Sequence, residues 1–177
     1  LEKQFNFLAK YYDLIYEGKD TNNEVLYLDY LLKKYGSNIS SILEFGLGTG
    51  RHAKKLIDLG YKVHGIERSK NMVSKLSKIK GLEYSIGDIE KINLNAEFDA
   101  ILSLFHVISY QTTNKKLHGV FQNAKNHLKK GGLFIFDVWF SCAVNYIKPS
   151  IRVKRFSNKE VEITKIAEPK IEDYSNT

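Results

Sequence analysis

The sequence is poor in cysteine and proline and contains no long hydrophobic run. Cys142 is the single cysteine among 177 residues, so an internal disulfide is excluded. Its apolar neighbours predict a buried thiol rather than a reactive one. The longest apolar stretch, residues 100–110, contains polar side chains and is shorter than the roughly 18 residues that a membrane-spanning helix needs. We therefore expect a protein that does not cross a bilayer.

Composition and charge are those of an ordinary folded protein. Apolar residues make up 43% and charged residues 27% of the chain, which argues against a disordered or coiled-coil protein. A chain of 177 residues has the size of one domain, so we expect residues 1–177 to form a single one. The net charge of +7 comes mainly from dispersed lysines, which are typical of solvated surfaces. A nucleic-acid partner is thus disfavoured, whereas attraction of anionic small molecules remains open.

Strands and helices alternate along the middle of the chain, residues 41–140. Strands are predicted at 42–45, 62–67, 82–87, 98–104 and 133–138, and helices at 51–59, 69–80 and 113–129. Strands that alternate with helices require right-handed crossovers and a parallel sheet covered on both faces. The predicted fold class is therefore α/β.

A helical cap and a hairpin are predicted on either side of this core. In residues 1–40, the stretch Thr21–Glu24 has the pattern of a capping box, and Gly36 is expected to end the helix that follows. In residues 141–177, two short strand patterns flank Ser157-Asn158-Lys159, which predicts an antiparallel hairpin. The expected apolar face of the cap helix comprises Val25, Leu28, Leu31, Leu32 and Tyr35.

Three glycines at alternate positions separate the first predicted strand from the first core helix. Gly46, Gly48 and Gly50 let the backbone turn tightly and approach a ligand, and the helix presents unpaired N–H groups to it. A tight turn without any ligand is the alternative. The dinucleotide pattern G-x-G-x-x-G is not met, because Arg51 stands where its third glycine belongs.

Acidic residues stand at the ends of three successive strands. Glu44 precedes the glycine turn, and a carboxylate buried there needs a partner such as a ligand ammonium group. Glu67 ends the second strand, where it could bind ribose hydroxyls or be a solvated charge. Asp88 follows the third strand, where it could accept from an adenine amino group beneath Ile89 or stabilise a turn. Together they predict an adenosine site with an amino-acid tail.

With these residues the chain resembles class I S-adenosylmethionine-dependent methyltransferases. Glu44–Gly50 matches that family's acid-x-G-x-G-x-G motif, and Glu67 and Asp88 match its ribose-side and adenine-side acids. The resemblance implies a Rossmann-like methyltransferase fold with S-adenosyl-L-methionine as cofactor. It also implies a set of cofactor-binding residues: Tyr12, Glu44, Gly46, Gly48, Thr49, Gly50, Glu67, Arg68, Met72, Asp88, Ile89 and Leu104.

A closer similarity is to sugar N,N-dimethyltransferases. Residues 12–20 resemble their Y-D-x-x-Y-x-x-x-K-D stretch, with one residue fewer between the second Tyr and the Lys. Residues 104–110 resemble a segment after their fourth strand, and residues 139–140 resemble an aromatic pair. The similarity implies a small acceptor, an amino sugar or sugar nucleotide, near Tyr16, Tyr110 and Trp139. Thr21 and Ser109 depart from that pattern. On this resemblance the chain is expected to end partway into an inserted antiparallel sheet.

Candidates for proton transfer lie just past the fourth strand. An amine must be uncharged to attack a methyl group, and Tyr110 and His106 could accept or relay its proton. His106 could equally be a satisfied core histidine. Tyr12 and Tyr16 fall one helical turn apart and could close over the cofactor or simply pack.

Other sequence features bear on metals, location and partners. The remaining histidines lack convergent ligand spacing, so no metal site is predicted. The N-terminus lacks a basic segment followed by an apolar stretch, which predicts no secretory signal and a cytoplasmic location. A homodimer is a candidate assembly. A methyltransferase for another metabolite, a protein or RNA, and a non-catalytic cofactor-binding relative, remain alternative functions.

Overall fold

A five-stranded parallel sheet forms the centre of the molecule. The computed structural model describes residues 8–76 and 79–170. The strands run side by side in the order β3-β2-β1-β4-β5. They are β1 (Ser41–Phe45), β2 (Lys62–Glu67), β3 (Glu83–Ile86), β4 (Phe98–Ser103) and β5 (Leu128–Phe136). All of the pairings are parallel, which confirms the predicted α/β class.

Helices cover both faces of the sheet. They are α1 (Tyr12–Ile15), α2 (Thr21–Tyr35), α3 (Arg51–Asp58), α4 (Lys70–Val73), α5 (Asn114–His127) and α6 (Ser141–Tyr146). Alternate residues of β1 face opposite sides, so Ile42 packs with α2 and α3 while Leu43 packs with α5. Val25 of α2 and Val120 of α5 mark these two cores, which together fix the sheet from both sides.

A separate two-stranded sheet follows the core. Strands β6 (Arg152–Ser157) and β7 (Glu162–Ala167) pair antiparallel, as the sequence predicts. The turn between them closes with a hydrogen bond from Asn158 N to Val161 O at 2.9 Å. β6 packs against α1, so the hairpin contacts the N-terminal segment.

The N-terminal cap differs in detail from the prediction. Asp20, and not Thr21, is the N-cap of α2, because its carboxylate accepts from Asn23 N at 3.1 Å. Tyr35 does not belong to the buried face and is 63% exposed, since it lies at the last turn beyond the core. Residues 1–7 of the predicted helical cap lie outside the described residues.

Three further predictions for the core need correction. The helix predicted from residue 69 is short, ending at Val73, and residues 77–78 lie outside the description. β5 begins at Leu128 rather than near residue 133, with a register shift opposite Phe98. Cys142 is exposed, because the short helix that carries it lies outside the sheet's cores. Among the described helices, none has the length and apolar character that a membrane span requires.

Candidate active site

A cleft opens at the carboxyl ends of β1, β2 and β4. β2 and β3 lie on one side of β1, whereas β4 and β5 lie on the other side. The strand order therefore reverses between β1 and β4, which is the topological switch point of the sheet. Ligands of open α/β sheets bind in the crevice at such a point. Four segments line this cleft: the N-terminal residues 12–21, the loop after β1, the ends of β2 and β3, and the loop after β4.

The glycine loop after β1 adopts a conformation that favours glycine. Gly46, Gly48 and Gly50 have φ values of 76°, 59° and 75°. A Cβ on Gly46 would lie 2.5 Å from Val107 Cγ2, so the loop after β4 can approach only because Gly46 has none. Gly48 faces open space in the cleft. The loop forms the cleft floor before α3, and its N–H groups largely donate within the protein: Gly46 N and Leu47 N donate to Ile66 O, and Gly50 N donates to Leu47 O.

Glu67 forms a hydrogen bond with the glycine loop. Its Oε2 accepts from Gly48 N at 2.8 Å, and its Oε1 accepts from Ser69 N at 2.8 Å. Each carboxylate oxygen has a second lone pair, so Glu67 can still accept hydrogen bonds from a ligand. Glu67 lines the cleft at the end of β2, which is the place that the sequence assigns to it.

Glu44 is a buried carboxylate with an unsatisfied oxygen. It is 2% exposed, and within the described structure its Oε2 has no hydrogen-bond partner. Its Oε1 lies 3.9 Å from His52 Nδ1. Burial, and then the charge of Glu67, raises the pKa of Glu44 to about 8, against the opposing charge of Lys19. A cation in the cleft would supply the partner that Glu44 lacks.

Three side chains behind Glu44 form a polar network. His52 Nε2 lies 2.9 Å from Glu24 Oε2, and Lys19 Nζ forms an ion pair with the same oxygen at 2.8 Å. Burial lowers the pKa of His52. Burial would raise the pKa of Glu24, but hydrogen bonds from Lys19 and His52 hold that pKa below its usual value. The network thus neutralises its own charges and leaves Glu44 to a ligand.

Asp88 stabilises a turn and also lines the cleft. Its Oδ1 accepts from Glu90 N at 2.9 Å, which is the turn-stabilising bond that was its alternative role. Asp88 also lines the cleft, beside Ile89, Arg68 and Met72. Met72 and Ile89 are buried, so this end of the cleft has an apolar wall with a carboxylate at its edge.

The N-terminal segment is fastened over the glycine loop. Thr49 Oγ1 donates to Asp13 Oδ1 at 2.7 Å. The guanidinium of Arg51 donates to Tyr16 O and, at 3.5 Å, to Lys19 O. These bonds bring Tyr16 and its neighbour Tyr12 to the rim of the cleft, where their ring centroids lie 4.7 Å apart.

The loop after β4 contains two consecutive residues in the left-handed region. Phe105 and His106 have φ values of 62° and 63°, which is a strained backbone for residues with side chains. His106 N donates to Asp137 Oδ1 at 2.8 Å, and its ring stacks on Trp139 at 4.4 Å between centroids. Lys19 Nζ lies 3.9 Å from the centroid of Phe105. These contacts hold the turn that leads to Tyr110.

Tyr110 joins two other phenols at the cleft. Burial first, and then the charge of Tyr16, raises the pKa of Tyr110, against the charge of Arg68. Burial, and then the charges of Tyr16 and Tyr110, raises the pKa of Tyr12 far above its usual value. These two phenols therefore stay neutral at physiological pH and can donate a hydrogen bond to a ligand.

Most of the predicted site residues line one cleft. Gly50 does not, because it faces Leu76 and Ile79 behind the loop. His106 and Trp139 also lie outside the lining, and Trp139 is 65% exposed. The geometry thus gives no support to direct roles for His106 and Trp139. The lining contains these predicted residues: Tyr12, Tyr16, Glu44, Gly46, Gly48, Thr49, Glu67, Arg68, Met72, Asp88, Ile89, Leu104 and Tyr110.

Several lining residues were missed by the sequence analysis. Lys19, Thr21, Arg51, His52 and Gln111 are the polar ones, and Phe105 is the aromatic one. Lys19 stands in the stretch 12–20, and Arg51 and His52 directly follow the glycines, so their sequence positions were a usable signal. Across residues 8–76 and 79–170, no three His, Cys, Asp or Glu side chains gather into a group that could hold a metal ion.

Comparison with known proteins identifies the family. A family model described as a methyltransferase domain matches residues 42–132, just over half of the chain. The chain belongs to this methyltransferase family. The match begins in β1 and covers the glycine loop, Glu67, Asp88 and the loop after β4, so it contains most of the cleft.

Sugar-modifying enzymes are among the relatives of this chain. It is 27% identical over 135 residues to a dTDP-3-amino-3,4,6-trideoxy-alpha-D-glucopyranose N,N-dimethyltransferase of Streptomyces venezuelae, covering 75% of this chain and 57% of that one. It is 29% identical to a dTDP-4-amino-2,3,4,6-tetradeoxy-D-glucose N,N-dimethyltransferase of Saccharopolyspora spinosa, covering 75% and 54%. The chain thus spans about half the length of these curated relatives. The resemblance predicted from the sequence is confirmed.

A solved structure has the same fold as this chain. The sugar N-methyltransferase KedS8 from Streptoalloteichus superposes with a TM-score of 0.81, covering 92% of this chain and 67% of that one. Its sequence identity is 23%, so the likeness concerns the fold. The predicted Rossmann-like methyltransferase fold is confirmed.

Proposed function

We propose that this protein transfers a methyl group from S-adenosyl-L-methionine to a small molecule, with an amino sugar or sugar nucleotide as acceptor. The observation that carries the proposal is Glu44, a buried carboxylate that faces the cleft with an unsatisfied oxygen. The similarity to dimethyltransferases of dTDP-linked amino sugars supports the acceptor class. We further propose that residues 1–177 act as one methyltransferase domain, with a helical cap, a cofactor-binding core and the start of a substrate-side sheet.

The cleft residues fit the parts of the cofactor. Glu44 needs a cation, and the ammonium group of an amino-acid tail would supply one. Glu67 has free lone pairs beside the glycine loop and suits ribose hydroxyls. Ile89 and Met72 offer an apolar wall for a flat base, and Asp88 stands at its edge.

The aromatic rim fits the reacting end. When bound, S-adenosylmethionine supplies a methyl carbon on a positively charged sulfur that is open to in-line displacement. Tyr12, Tyr16 and Phe105 line this part of the cleft, where the face of an aromatic ring attracts a cation and its carbon atoms exclude water. Holding the reacting atoms on one axis can contribute about 7–11 kcal/mol at the upper limit.

Tyr110 is our candidate for contact with the acceptor. Its phenol stays neutral because its pKa is raised by burial, so it acts as a hydrogen-bond partner rather than as a phenolate base. It can hold the attacking amine or hydroxyl and pass a proton on to solvent, since it is 39% exposed. A role of His106 would be to position Tyr110 through the shared turn, because His106 lies outside the cleft lining.

Calorimetric titration with S-adenosylhomocysteine tests the cofactor, with NADH as the parallel control. Micromolar binding of S-adenosylhomocysteine alone is the expected result. Absence of binding to the folded full chain would mean that the glycine loop is only a turn. Binding without methyl transfer to dTDP-linked amino sugars or to other acceptors would instead favour a non-catalytic relative.

Glu67→Ala tests the ribose assignment. We expect S-adenosylhomocysteine to bind more weakly by about 1.5–3 kcal/mol, because a charged hydrogen-bonding partner is lost. The matched control is Glu83→Ala, an exposed carboxylate on the neighbouring strand β3. Equal affinities of Glu67→Ala and Glu83→Ala would remove Glu67 from the site.

Location and assembly stay predictions from the sequence. We propose a cytoplasmic protein that can form homodimers. Cell fractionation would test the location, and light scattering of the full chain would test the assembly.

A further inference from the structure

The C-terminal hairpin carries cations on one face. Lys154 of β6 lies opposite Lys165 of β7, and Phe156 lies opposite Ile163. Side chains alternate between the two faces of a strand, so both lysines share a face with Phe156, Ile163 and, one pair further on, Arg152. The strand positions of this face hold three cations, two apolar residues and an alanine, and no carboxylate.

This cationic face reaches the rim of the cleft. Lys165 Nζ donates to Tyr16 Oη at 3.4 Å and lies 5.3 Å from the centroid of the Tyr16 ring. Tyr16 is part of the cleft lining and contacts Phe105 edge to face at 5.2 Å between centroids. Lys165 is not part of the cleft lining and therefore lies beside the aromatic rim, in contact with Tyr16.

The two lysines form an unneutralised like-charge pair. Directly opposite residues in an antiparallel pair have Cβ atoms about 4.5–5.5 Å apart, and like charges there are destabilising. Neither Lys154 nor Lys165 forms an ion pair with any described carboxylate. An anion that bridges the two ammonium groups would convert this repulsion into attraction.

Charge is distributed differently in the cleft and on the hairpin. The cleft lining mixes the carboxyl groups of Glu44, Glu67 and Asp88 with the cations Lys19, Arg51 and Arg68, whereas the charged side chains of the hairpin face are all cations. A phosphate group thus meets no competing carboxylate at the hairpin face, which favours binding there of an acceptor that carries phosphate at one end.

We propose that Lys154 and Lys165, with Arg152 beside them, bind the phosphate groups of a nucleotide-linked acceptor and point its sugar toward Tyr110. The inference rests on the proposed methyl transfer and assigns the residues that select a phosphorylated acceptor. A sugar without the nucleotide would lose these contacts and bind more weakly.

Binding of dTDP tests the assignment, with thymidine as the uncharged comparison. Calorimetry is done on the full chain saturated with S-adenosylhomocysteine. The double variant Lys154→Gln/Lys165→Gln is expected to weaken dTDP binding by at least about 20-fold, because two charged donors are lost. Thymidine binding is expected to stay unchanged, and pyrophosphate is expected to compete with dTDP on the wild type.

Arg155→Gln is the matched control. Arg155 lies on the opposite face of the same strand, so its loss should change dTDP affinity by less than about twofold. Lys165→Arg should retain binding, because it keeps the positive charge. Unchanged S-adenosylhomocysteine affinity in every variant would show that the cleft is intact.

Two results would overturn the assignment: no dTDP binding to the wild type, or equal dTDP affinities of the wild type and the double variant. An equal loss in Arg155→Gln would reduce it to a general charge effect and also count against it. If the wild type fails to bind S-adenosylhomocysteine, the proposed methyl transfer is refuted. Loss of dTDP binding in the double variant, measured in that case without S-adenosylhomocysteine, would still support the phosphate site.

Discussion

Carboxylates at the two ends of the parallel strands have opposite surroundings. Where the strands begin, Asp99 accepts from the N and Oγ of Ser40 and of Ser41 at 2.8–3.0 Å, and from Lys129 at 2.8 Å. Where the strands end, Glu44 keeps an oxygen with no hydrogen-bond partner in the described structure. Glu44 lies on β1 and Asp99 on its neighbour β4. The two carboxylates therefore differ mainly in their surroundings.

The pKa values of the two groups follow from these surroundings. Burial would raise the pKa of Asp99, but hydrogen bonds from Lys129, Ser40 and Ser41 hold it well below its usual range. Burial and the charge of Glu67 raise the pKa of Glu44 to about 8. The contrast teaches that a satisfied carboxylate ties strands together, whereas an unsatisfied one is left for a ligand.

The largest effect is expected from Asp99→Ala. The free energy of unfolding should fall by about 3 kcal/mol, because several donors at the start of β1 lose a charged acceptor. Urea denaturation measures this change. Glu97→Ala, an exposed carboxylate two residues away, is the control and should shift stability by less than about 0.5 kcal/mol.

A second outcome of the same experiment would break the comparison. The folded Asp99→Ala variant should bind S-adenosylhomocysteine as the wild type does. If its free energy of S-adenosylhomocysteine binding falls as much as its free energy of unfolding, the role of Asp99 is not purely structural.

Glu44→Gln is expected to lower ligand affinity rather than stability, and by a smaller free energy. S-adenosylhomocysteine should bind about 30-fold more weakly, or about 2 kcal/mol, because the ammonium group loses its carboxylate. Unfolding in urea at pH 9 should show a variant at least as stable as the wild type, since it need not bury a charge. A variant that is destabilised at pH 9 yet binds normally would reverse the assigned roles.

The smallest effect concerns protons. The folded-state pKa of Glu44 lies above its unfolded value, so its protonated form stabilises the fold at low pH and this contribution is lost as pH rises through about 8. At pH 7 the carboxyl group should therefore release about one proton when a ligand ammonium binds. Titrations of S-adenosylhomocysteine in phosphate and in Tris buffer should differ in enthalpy for the wild type and agree for Glu44→Gln. Equal enthalpies in both buffers for the wild type would contradict the raised pKa.

The sequence predicted the sheet because its signals are local. Apolar runs of strand length, the alternation with helical patterns and the three glycines each occupy a few consecutive residues, so β1, the loop and α3 were placed correctly. Glu44, Glu67 and Asp88 followed from their positions at strand ends. The hairpin of residues 152–167 followed from the turn residues between its strands.

What the sequence could not predict depends on contacts between distant segments. Arg51 reaches the N-terminal carbonyls only because the cap folds back over the glycine loop. His106 is turned out of the cleft by a left-handed backbone that no local pattern announces. Tyr35 follows the apolar spacing of α2 but lies in its last turn, beyond the core. Cys142 has apolar neighbours in sequence, but its helix lies outside both cores.

Arg51 links the N-terminal cap to α3, the helix that follows the glycine loop. Its guanidinium holds the carbonyl oxygens of Tyr16 and Lys19, and Thr49 holds Asp13 beside them. We expect a ligand bound beneath this segment to leave more readily when these hydrogen bonds break and the segment lifts. The lifetime of a bound product would then depend on local unfolding of about ten residues.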